Sequence, residues 1–209
     1  MVYLARHVST EVREKEMSHL NEAISREIQA ATRGLPLYRG GPGVDYTDAP
    51  VAYAVNVTVV WRTSRPQALL VQRASGYGKI GSWSGVSGFV DTPHDPRGIG
   101  GRRFDPVNHT IRTELEEECG LGDDVLTRLA FHLGARFEVK SHNGGRLHVL
   151  PVLAVYRGAQ QFAIRLNPDE LSAHRWVRLG QVAALPDLNP GYRAQTLPRI
   201  LEVLRATTT

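Results

Sequence analysis

The sequence predicts an α/β (α+β) fold in which a mixed β-sheet is sandwiched between helices, with an added N-terminal helix. Three observations predict it. The run VAYAVNVTVVW at 51–61 is rich in β-branched residues and long enough for a strand that crosses a core. A helical pattern occupies VNHTIRTELEEEC at 107–119 and ends at Gly120. Two more strand-like runs, at about 129–139 and 147–157, flank an NGG turn signal.

The N-terminal region has a different character from the rest of the chain. Residues 10–32 are predicted to be a helix because Leu20, Ile24 and Ile28 recur at every fourth position. A glycine- and proline-rich stretch at 39–50 follows. We therefore expect a helical extension and linker at 1–45 and a main domain at 46–209. The extension packs on the main domain or on a second subunit, and the second arrangement would make the protein a homodimer.

The main domain is predicted to contain several further elements. A second strand is expected at 68–72, a short extended segment at 89–91 and a short strand at 174–179. A C-terminal helix is expected near 193–205, because four aliphatic residues share one face there: Leu197, Ile200, Leu201 and Leu204. A proline- and glycine-rich insertion occupies 92–106.

Composition excludes several classes of protein. With 42% hydrophobic and 22% charged residues, the chain is globular, and no apolar run is long enough to span a membrane. The single cysteine, Cys119, excludes an intrachain disulfide and fits a reducing compartment, so we expect a cytoplasmic protein. The net charge of +4 comes with scattered arginines, which does not suit a nucleic acid duplex but suits a phosphorylated small molecule.

The helix at 107–119 carries a cluster of acidic residues. Glu114, Glu117 and Glu118 fall within an arc of roughly 100°. These carboxylates repel one another, and those near the helix C-terminus also oppose the helix dipole. A solvated acidic face is one interpretation. The other is a site for a cation that offsets the repulsion, and oxygen ligands of this kind match Mg²⁺, or Mn²⁺.

The surrounding residues resemble the Nudix family. The second half of its signature is matched in register by Glu114, Leu115, Glu117, Glu118, Gly120 and Leu121. Upstream, GSWSGVSGFVD at 81–91 is similar to the segment that precedes the signature, with Gly88 as the signature glycine. The runs at 69–75, 146–156 and 170–179 look like other strands of the family. The resemblance spans about 51–205 and implies the Nudix fold.

The chain departs from the signature in its first half. Gly88 and Glu114 are separated by an insertion of 11 residues relative to the family pattern. His94 stands where a glutamate is expected, and Thr113 stands where an arginine is expected. Arg112 does not substitute simply, because one helical step rotates it by about 100°. We hypothesise that residues of the insertion replace the missing orienting groups: Asp95, Arg102, Arg103 or Asp105.

The resemblance implies roles for individual residues. It places metal ligands at Glu114, Glu117 and Glu118. It leaves the general base open among Glu117, Glu118 and an acid of a later loop, Asp169 or Glu170. Four positions are expected to bind substrate: Arg73, Trp83, Gly88 and Asp91. The alternative is a surface or structural role for Arg73, a core position for Trp83 and a turn for Asp91. The aromatic strand residues are expected in the core, although one of them could stack on a base: Tyr53, Phe89, Phe137 and Tyr156.

The function implied is Mg²⁺-dependent hydrolysis of a diphosphate bond in a small nucleoside diphosphate derivative, of the sugar nucleotide or dinucleotide type. The alternative is a non-catalytic Nudix-fold module that senses such a ligand, which His94 and Thr113 favour. A diphosphate isomerase of the isoprenoid type shares the fold. That reaction commonly involves a cysteine on an early strand loop, and the loop here has none.

Overall fold

The computed structural model describes residues 22–33, 35, 45–75, 79–90, 105–140 and 144–207. Residues 22–32 form helix α1. The other helices are α2 (Pro106–Cys119), α3 (Asp123–Leu126), a 3₁₀ helix (Leu179–Ala184), a π-helical turn (Tyr192–Thr196) and α4 (Leu197–Ala206). The strands are β1 (Val51–Trp61), β2 (Gln67–Arg73), β3 (Trp83–Ser84), β4 (Val86–Phe89), β5 (Leu129–Leu133), β6 (Phe137–Lys140), β7 (Arg146–Tyr156) and β8 (Leu171–Arg178).

The sheet is built around a parallel pair, β1 and β7, which are in register from Val51 opposite Arg146 to Trp61 opposite Tyr156. All other pairings are antiparallel: β2 and β4 with opposite ends of β1, β3 and β8 with β2, and β5 and β6 with β7. The mixed sheet predicted from the sequence is confirmed.

One predicted strand, at 129–139, is two strands in the structure. Both β5 and β6 pair with β7, and the break between them lies opposite Pro151. Proline has no N–H to donate to the ladder. Instead the Gly134 N–H donates to the Pro151 carbonyl at 2.8 Å, and the chain bulges before β6 begins.

Helices cover both faces of the sheet. Alternate residues of β1, among them Val55 and Val57, pack in one cluster with Ile28 of α1 and Leu115 of α2. On the opposite face, Val60 packs with Ile200 of α4 in a second cluster. The side chains of a strand point alternately to the two faces, so the almost uniformly apolar β1 supplies both cores. The predicted sandwich of helix, sheet and helix is confirmed.

The described part of the N-terminal helix packs on the main domain. Ile24 and Ile28 are buried in the same cluster as the sheet. The Tyr53 hydroxyl donates to Glu27 at 3.0 Å, and Ser25 Oγ donates to Asp105 at 3.2 Å. Residues 10–21 of the predicted helix lie outside the described residues, and a homodimer through 10–32 stays a prediction.

Helix α2 has sequence signals at both ends. Asp105 is the N-cap, its carboxylate accepting from the backbone N–H groups of Val107 and Asn108, and Pro106 follows as the first helical residue. At the other end Gly120 adopts φ 64°, the left-handed conformation that closes many helices. The buried Ile111, Leu115 and Cys119 pack this helix on the sheet.

Across the described ranges, every helix is too short or too polar to cross a bilayer.

Candidate active site

Glu114 lies directly against the backbone of Gly88. A methyl group added at Gly88 would overlap the whole Glu114 carboxyl group, both oxygens included. The contact joins α2 to β4, and it exists because β4 presents no side chain at that point. The group that approaches this signature glycine is the first carboxylate of the acidic cluster.

Glu118 is buried under the same edge of the sheet. Its side chain is 1% exposed, and no described N–H or O–H group donates a hydrogen bond to either carboxylate oxygen. The nearest cation is the Arg73 guanidinium, with Nη2 3.8 Å from Oε1. Burial raises the pKa of Glu118 to about 8. Arg73 opposes this rise, and the negative charges of Glu114 and Glu170 add to it.

Arg73 is held at the end of β2 by a neighbouring strand. Its Nη2 donates to Ser87 Oγ at 2.8 Å, and Ser87 precedes Gly88 on β4. The guanidinium therefore stands between Ser87 and Glu118. A planar group with several N–H donors in that place can also bind a phosphate oxygen.

The segment 165–170 brings Glu170 to the C-terminal end of α2. The backbone N–H of Asn167 donates to the Glu118 carbonyl at 3.0 Å, and that of Arg165 donates to the Cys119 carbonyl at 2.9 Å. The Asn167 side-chain amide donates to Glu170 Oε1 at 3.3 Å. The Glu170 carbonyl in turn accepts from the N–H of Ala74 at 2.7 Å. The predicted later-loop acid thus lies beside Glu118, whereas its neighbour Asp169 is exposed.

Glu117 is exposed, while Glu114 is half-buried and Glu118 is fully buried. Within the ranges described, no group of three or more His, Cys, Asp or Glu side chains is placed to hold a metal ion on its own. Mg²⁺ usually takes one or two carboxylates and completes its shell with substrate phosphate and water. The two buried Glu118 oxygens without a donor and the adjacent Glu114 supply the oxygen ligands that such an ion requires.

The structure separates the four predicted substrate-binding residues. Arg73 and Gly88 lie at the carboxylates, as described above. Trp83 belongs to the margin of the core cluster on the α4 side, and the Arg175 guanidinium covers its ring at 3.9 Å. Asp91 lies outside the described residues.

Of the four insertion residues predicted to orient the site, the structure describes Asp105. Asp105 caps α2, and it precedes Glu114 by nine residues, about 13 Å along the helix axis. It stabilises the helix start and does not orient Glu114. The Arg112 guanidinium lies over the Phe131 ring, 5.7 Å from its centroid. The other candidates lie outside the described residues: His94, Asp95, Arg102 and Arg103.

Two residues at the site were not predicted. Ser87 holds Arg73, and Asn167 holds Glu170. A sequence signal exists for Asn167, because the run NPDE is typical of a turn in which an asparagine side chain bonds the backbone two residues later, and Asp169 N–H does donate to Asn167 Oδ1. No comparable signal marks Ser87.

Cys119 follows the acidic cluster but is chemically inert. Its thiol is buried, and burial, reinforced by Glu118, raises its pKa to about 12. A neutral, inaccessible thiol is neither a nucleophile nor a proton carrier. Cys119 therefore serves as a small apolar residue of the core.

A family model described as NUDIX domain matches residues 52–200. A Nudix hydrolase from M. smegmatis, RenU, is 22% identical with a TM-score of 0.51, over 74% of this chain and 85% of that chain. The C. elegans Ap4A hydrolase in a binary complex is 18% identical with a TM-score of 0.53, over 74% and 98%. The NUDIX domain of Shewanella oneidensis NrtR, complexed with ADP-ribose, is 17% identical with a TM-score of 0.53, over 75% and 88%. These likenesses establish the fold. No curated protein shows significant similarity to the chain.

Proposed function

The chain belongs to the Nudix family of hydrolases, which act on phosphorus anhydrides, and we propose that it hydrolyses a diphosphate bond in a nucleoside diphosphate derivative with the help of Mg²⁺ or Mn²⁺. The substrate class proposed is the sugar nucleotide or dinucleotide type. Ap4A and ADP-ribose, the compounds named for two proteins of the same fold, support this class. A cytoplasmic location is part of the proposal.

The observation that carries the proposal is the buried Glu118 carboxylate. It lies 3.8 Å from one guanidinium and near two other carboxylates, and no described donor satisfies it. A buried anion without hydrogen bonds is costly unless a cation joins it. A divalent cation held by Glu118 would offset the desolvation cost and the repulsion between the carboxylates.

Each residue of the site has a part in this proposal. Glu114 and Glu118 would hold the metal, and Glu117, which faces solvent on the same arc, would be the third carboxylate ligand. Arg73 binds a phosphate oxygen while Ser87 keeps its guanidinium in place. Glu170, oriented by Asn167, takes the proton from the attacking water. A bound divalent ion would neutralise the diphosphate and lower the pKa of that water.

The test compares two glutamates of the same helix. We would incubate the protein with nucleoside diphosphate sugars and dinucleoside polyphosphates in the presence of Mg²⁺, and measure the release of mononucleotide. Glu118→Gln should lower kcat/KM at least a hundredfold, because a neutral amide cannot replace a metal-ligating carboxylate. Glu116→Gln is the matched control. Glu116 is exposed on another side of α2 and should tolerate the same change.

The same assay distinguishes an enzyme from a sensor. A sensor binds the ligands without releasing product, and Glu118→Gln leaves its affinity intact. That result, or wild-type turnover that is insensitive to chelation of divalent ions, would contradict the proposal.

A further inference from the structure

Five exposed arginines lie together at one end of the sheet, although the sequence spreads them from position 62 to position 178. They are Arg62, Arg65, Arg128, Arg157 and Arg178. No basic run along the chain announces them, because the pairing of the strands is what brings them together. We call this group the arginine row.

Strands β1, β5 and β7 place three members of the row side by side. Arg62 and Arg157 each follow the last residue of their strand, and those two last residues are paired in parallel. The N–H of Arg62 donates to the Tyr156 carbonyl at 2.9 Å, just before Arg157. Arg128 directly precedes β5, whose first residue is also opposite Tyr156.

Strands β2 and β8 add the other two members. Arg65 lies two residues before β2, whose first residue, Gln67, is opposite Arg178 on β8. The Leu179 N–H donates to the Pro66 carbonyl at 2.9 Å and joins the two connections. Adjacent strands are about 4.8 Å apart, so the row extends for about 20 Å across β8, β2, β1, β7 and β5.

Within the described part of the chain, no carboxylate forms an ion pair with a guanidinium of the arginine row. Other arginines are paired with glutamates: Arg26, Arg73, Arg136 and Arg146. The connections 62–66 and 157–163, which carry three members of the row, contain no Asp or Glu. Asp123 and Asp124 precede Arg128 without pairing with it. Like charges on adjacent strands repel one another, so the row costs stability until an anion binds.

A groove of about 520 Å³ opens beside the end of the row that Arg128 forms. Arg128 lines it together with the Gln161 side chain and the half-buried Phe162. The volume lies within the roughly 300–1,000 Å³ of sites for small ligands and is enough for one base with its sugar. The groove therefore places an aromatic side chain and an amide next to the row of positive charge.

The arrangement favours a single strand of nucleic acid over two other polyanions. An anionic bilayer presents a plane of charge, and proteins that lie on it commonly bury apolar side chains there. Among the described residues the exposed large hydrophobic side chain is Ile80, beyond the opposite end of β2. A duplex keeps its bases stacked inside and would leave the groove empty. A single strand lays its phosphates along a basic row and stacks a base on an aromatic side chain.

We propose that the arginine row and the adjacent groove bind single-stranded nucleic acid, with phosphates on the row and one base in the groove. Guanidinium groups suit the row because each can donate two parallel hydrogen bonds to a phosphate. The surface is separate from the carboxylate site. Arg65 and Arg73 lie at opposite ends of β2, a strand of seven residues that is roughly 20 Å long.

The test measures binding by fluorescence anisotropy in EDTA, with an oligouridylate of about 15 nucleotides as the probe. The probe carries a 5′ hydroxyl, so it offers no diphosphate to the carboxylate site. We expect a Kd of about 10 μM or lower at 50 mM salt. The affinity should fall about a hundredfold between 50 and 200 mM salt, because five neutralised phosphates of a single strand give a dependence of this size.

Two triple variants separate the row from net charge. Arg62→Gln, Arg157→Gln and Arg178→Gln combined should weaken binding at least thirtyfold at 50 mM salt and lower the slope of log Kd against log salt by about 2. Arg26→Gln, Arg33→Gln and Arg146→Gln combined form the matched control. They remove the same charge from the region of α1 and from the start of β7, and they should change the Kd less than about threefold.

A second probe tests the groove. An oligomer of the same length made of abasic sites should bind at least threefold more weakly than oligouridylate, because it has no base to enter the groove. Equal binding of the two probes would reject the groove as a base site.

Four further outcomes decide the proposal. A wild type that fails to bind oligouridylate, or that binds double-stranded RNA as tightly, overturns it. Equal losses in the two triple variants overturn it as well, because binding would then follow net charge alone. Binding only to vesicles of phosphatidylserine and phosphatidylcholine, lost in the row variant, would assign the row to a membrane instead. A protein that binds oligouridylate through the row and hydrolyses no diphosphate keeps this inference and rejects the proposed function.

Discussion

Glu118 lies between the guanidinium of Arg73 and the carboxylates of Glu114 and Glu170, with 1% of its surface exposed. These neighbours come from three elements. Arg73 ends β2, Glu114 lies one helical turn before Glu118 on α2, and Glu170 directly precedes β8. Its pKa is raised to about 8 mainly by burial. At the residue scale, the site is therefore a carboxylate whose charge the surrounding protein disfavours until a cation joins it.

This raised pKa makes the stability of the metal-free protein depend on pH. The folded state holds a proton on Glu118 that the unfolded chain releases above about 4.5, the unperturbed value. The resulting stabilisation is complete below pH 4.5 and is lost as the pH rises through about 8. A shift of this size corresponds to on the order of 3 kcal/mol after allowance for local relaxation.

Glu118→Gln removes this dependence, because an amide does not titrate. In EDTA, the Tm of the variant minus that of the wild type should rise by about 6 °C between pH 5 and pH 8.5. The measurement is thermal unfolding followed by circular dichroism, with Glu116→Gln as the control. A Tm difference that stays constant over this pH range would show that Glu118 is not buried as described.

Gly88 offers a test of the carboxylate position that leaves the fold intact. In Gly88→Ala the new methyl group would overlap the end of the flexible Glu114 side chain, which must rotate away. We expect kcat/KM to fall at least tenfold while Tm changes by less than about 2 °C, because no backbone atom is displaced.

The matched control is Gly180→Ala, where an added methyl group meets nothing within 4 Å. It should change neither activity nor stability. If Gly88→Ala kept full activity, Glu114 would have no part in the reaction.

At the scale of elements, helix α2 and the segment 165–170 form one unit. Backbone N–H groups of the segment satisfy the Glu118 and Cys119 carbonyls at the end of the helix, where carbonyls lack partners within the helix. The same segment delivers Glu170 through the Asn167 side chain. The end of the acidic helix and the position of the later acid are therefore set together.

Asn167→Ala should separate the position of the Glu170 carboxylate from the end of helix α2. The backbone bond to Glu118 remains, but Glu170 loses the amide that orients its carboxylate, so kcat should fall about fivefold with KM little changed. The double variant with Glu170→Gln should be no less active than Glu170→Gln alone, since both changes disable one group.

Gln160→Ala removes an amide from an exposed position and serves as the control. Losses in Asn167→Ala and Glu170→Gln that multiply in the double variant would show that Asn167 acts independently of Glu170.

At the scale of the whole molecule, the N-terminal helix is part of the core. Ile28 is 0% exposed and packs in the cluster that also holds Leu115 of α2 and Val57 of β1. The polar contacts from Ser25 to Asp105 and from Glu27 to Tyr53 join the same helix to the start of α2 and to the sheet. The helix therefore supports the element that carries the acidic cluster.

Ile28→Ala should lower the free energy of unfolding by about 3 kcal/mol, which is typical of a large side chain removed from a packed core. The Tm should fall by about 6 °C or more. Ile80→Ala is the matched control, because Ile80 is 63% exposed and its truncation should cost less than about 0.5 kcal/mol. Equal effects of the two variants would mean that α1 is an appendage rather than part of the core.

Much of the fold could be predicted because its signals are local. The bounds of β1 follow from its β-branched run, and those of α2 from Pro106 and Gly120, which act on the backbone of their own helix. The split of 129–139 into β5 and β6 could not be predicted, because its cause is Pro151 on the opposite strand.

The candidate site shows the same division. Helical periodicity was enough to predict that three glutamates share one arc of a helix, and the motif showed that a glycine precedes them in a Nudix-like context. The folded structure was needed to show that Glu118 is buried. It was also needed to show that Ser87 contacts Arg73 and that Asn167 contacts Glu170. Helical periodicity depends on residues within a few positions of one another. Burial and charge depend on contacts between residues far apart in the chain, which no local pattern records.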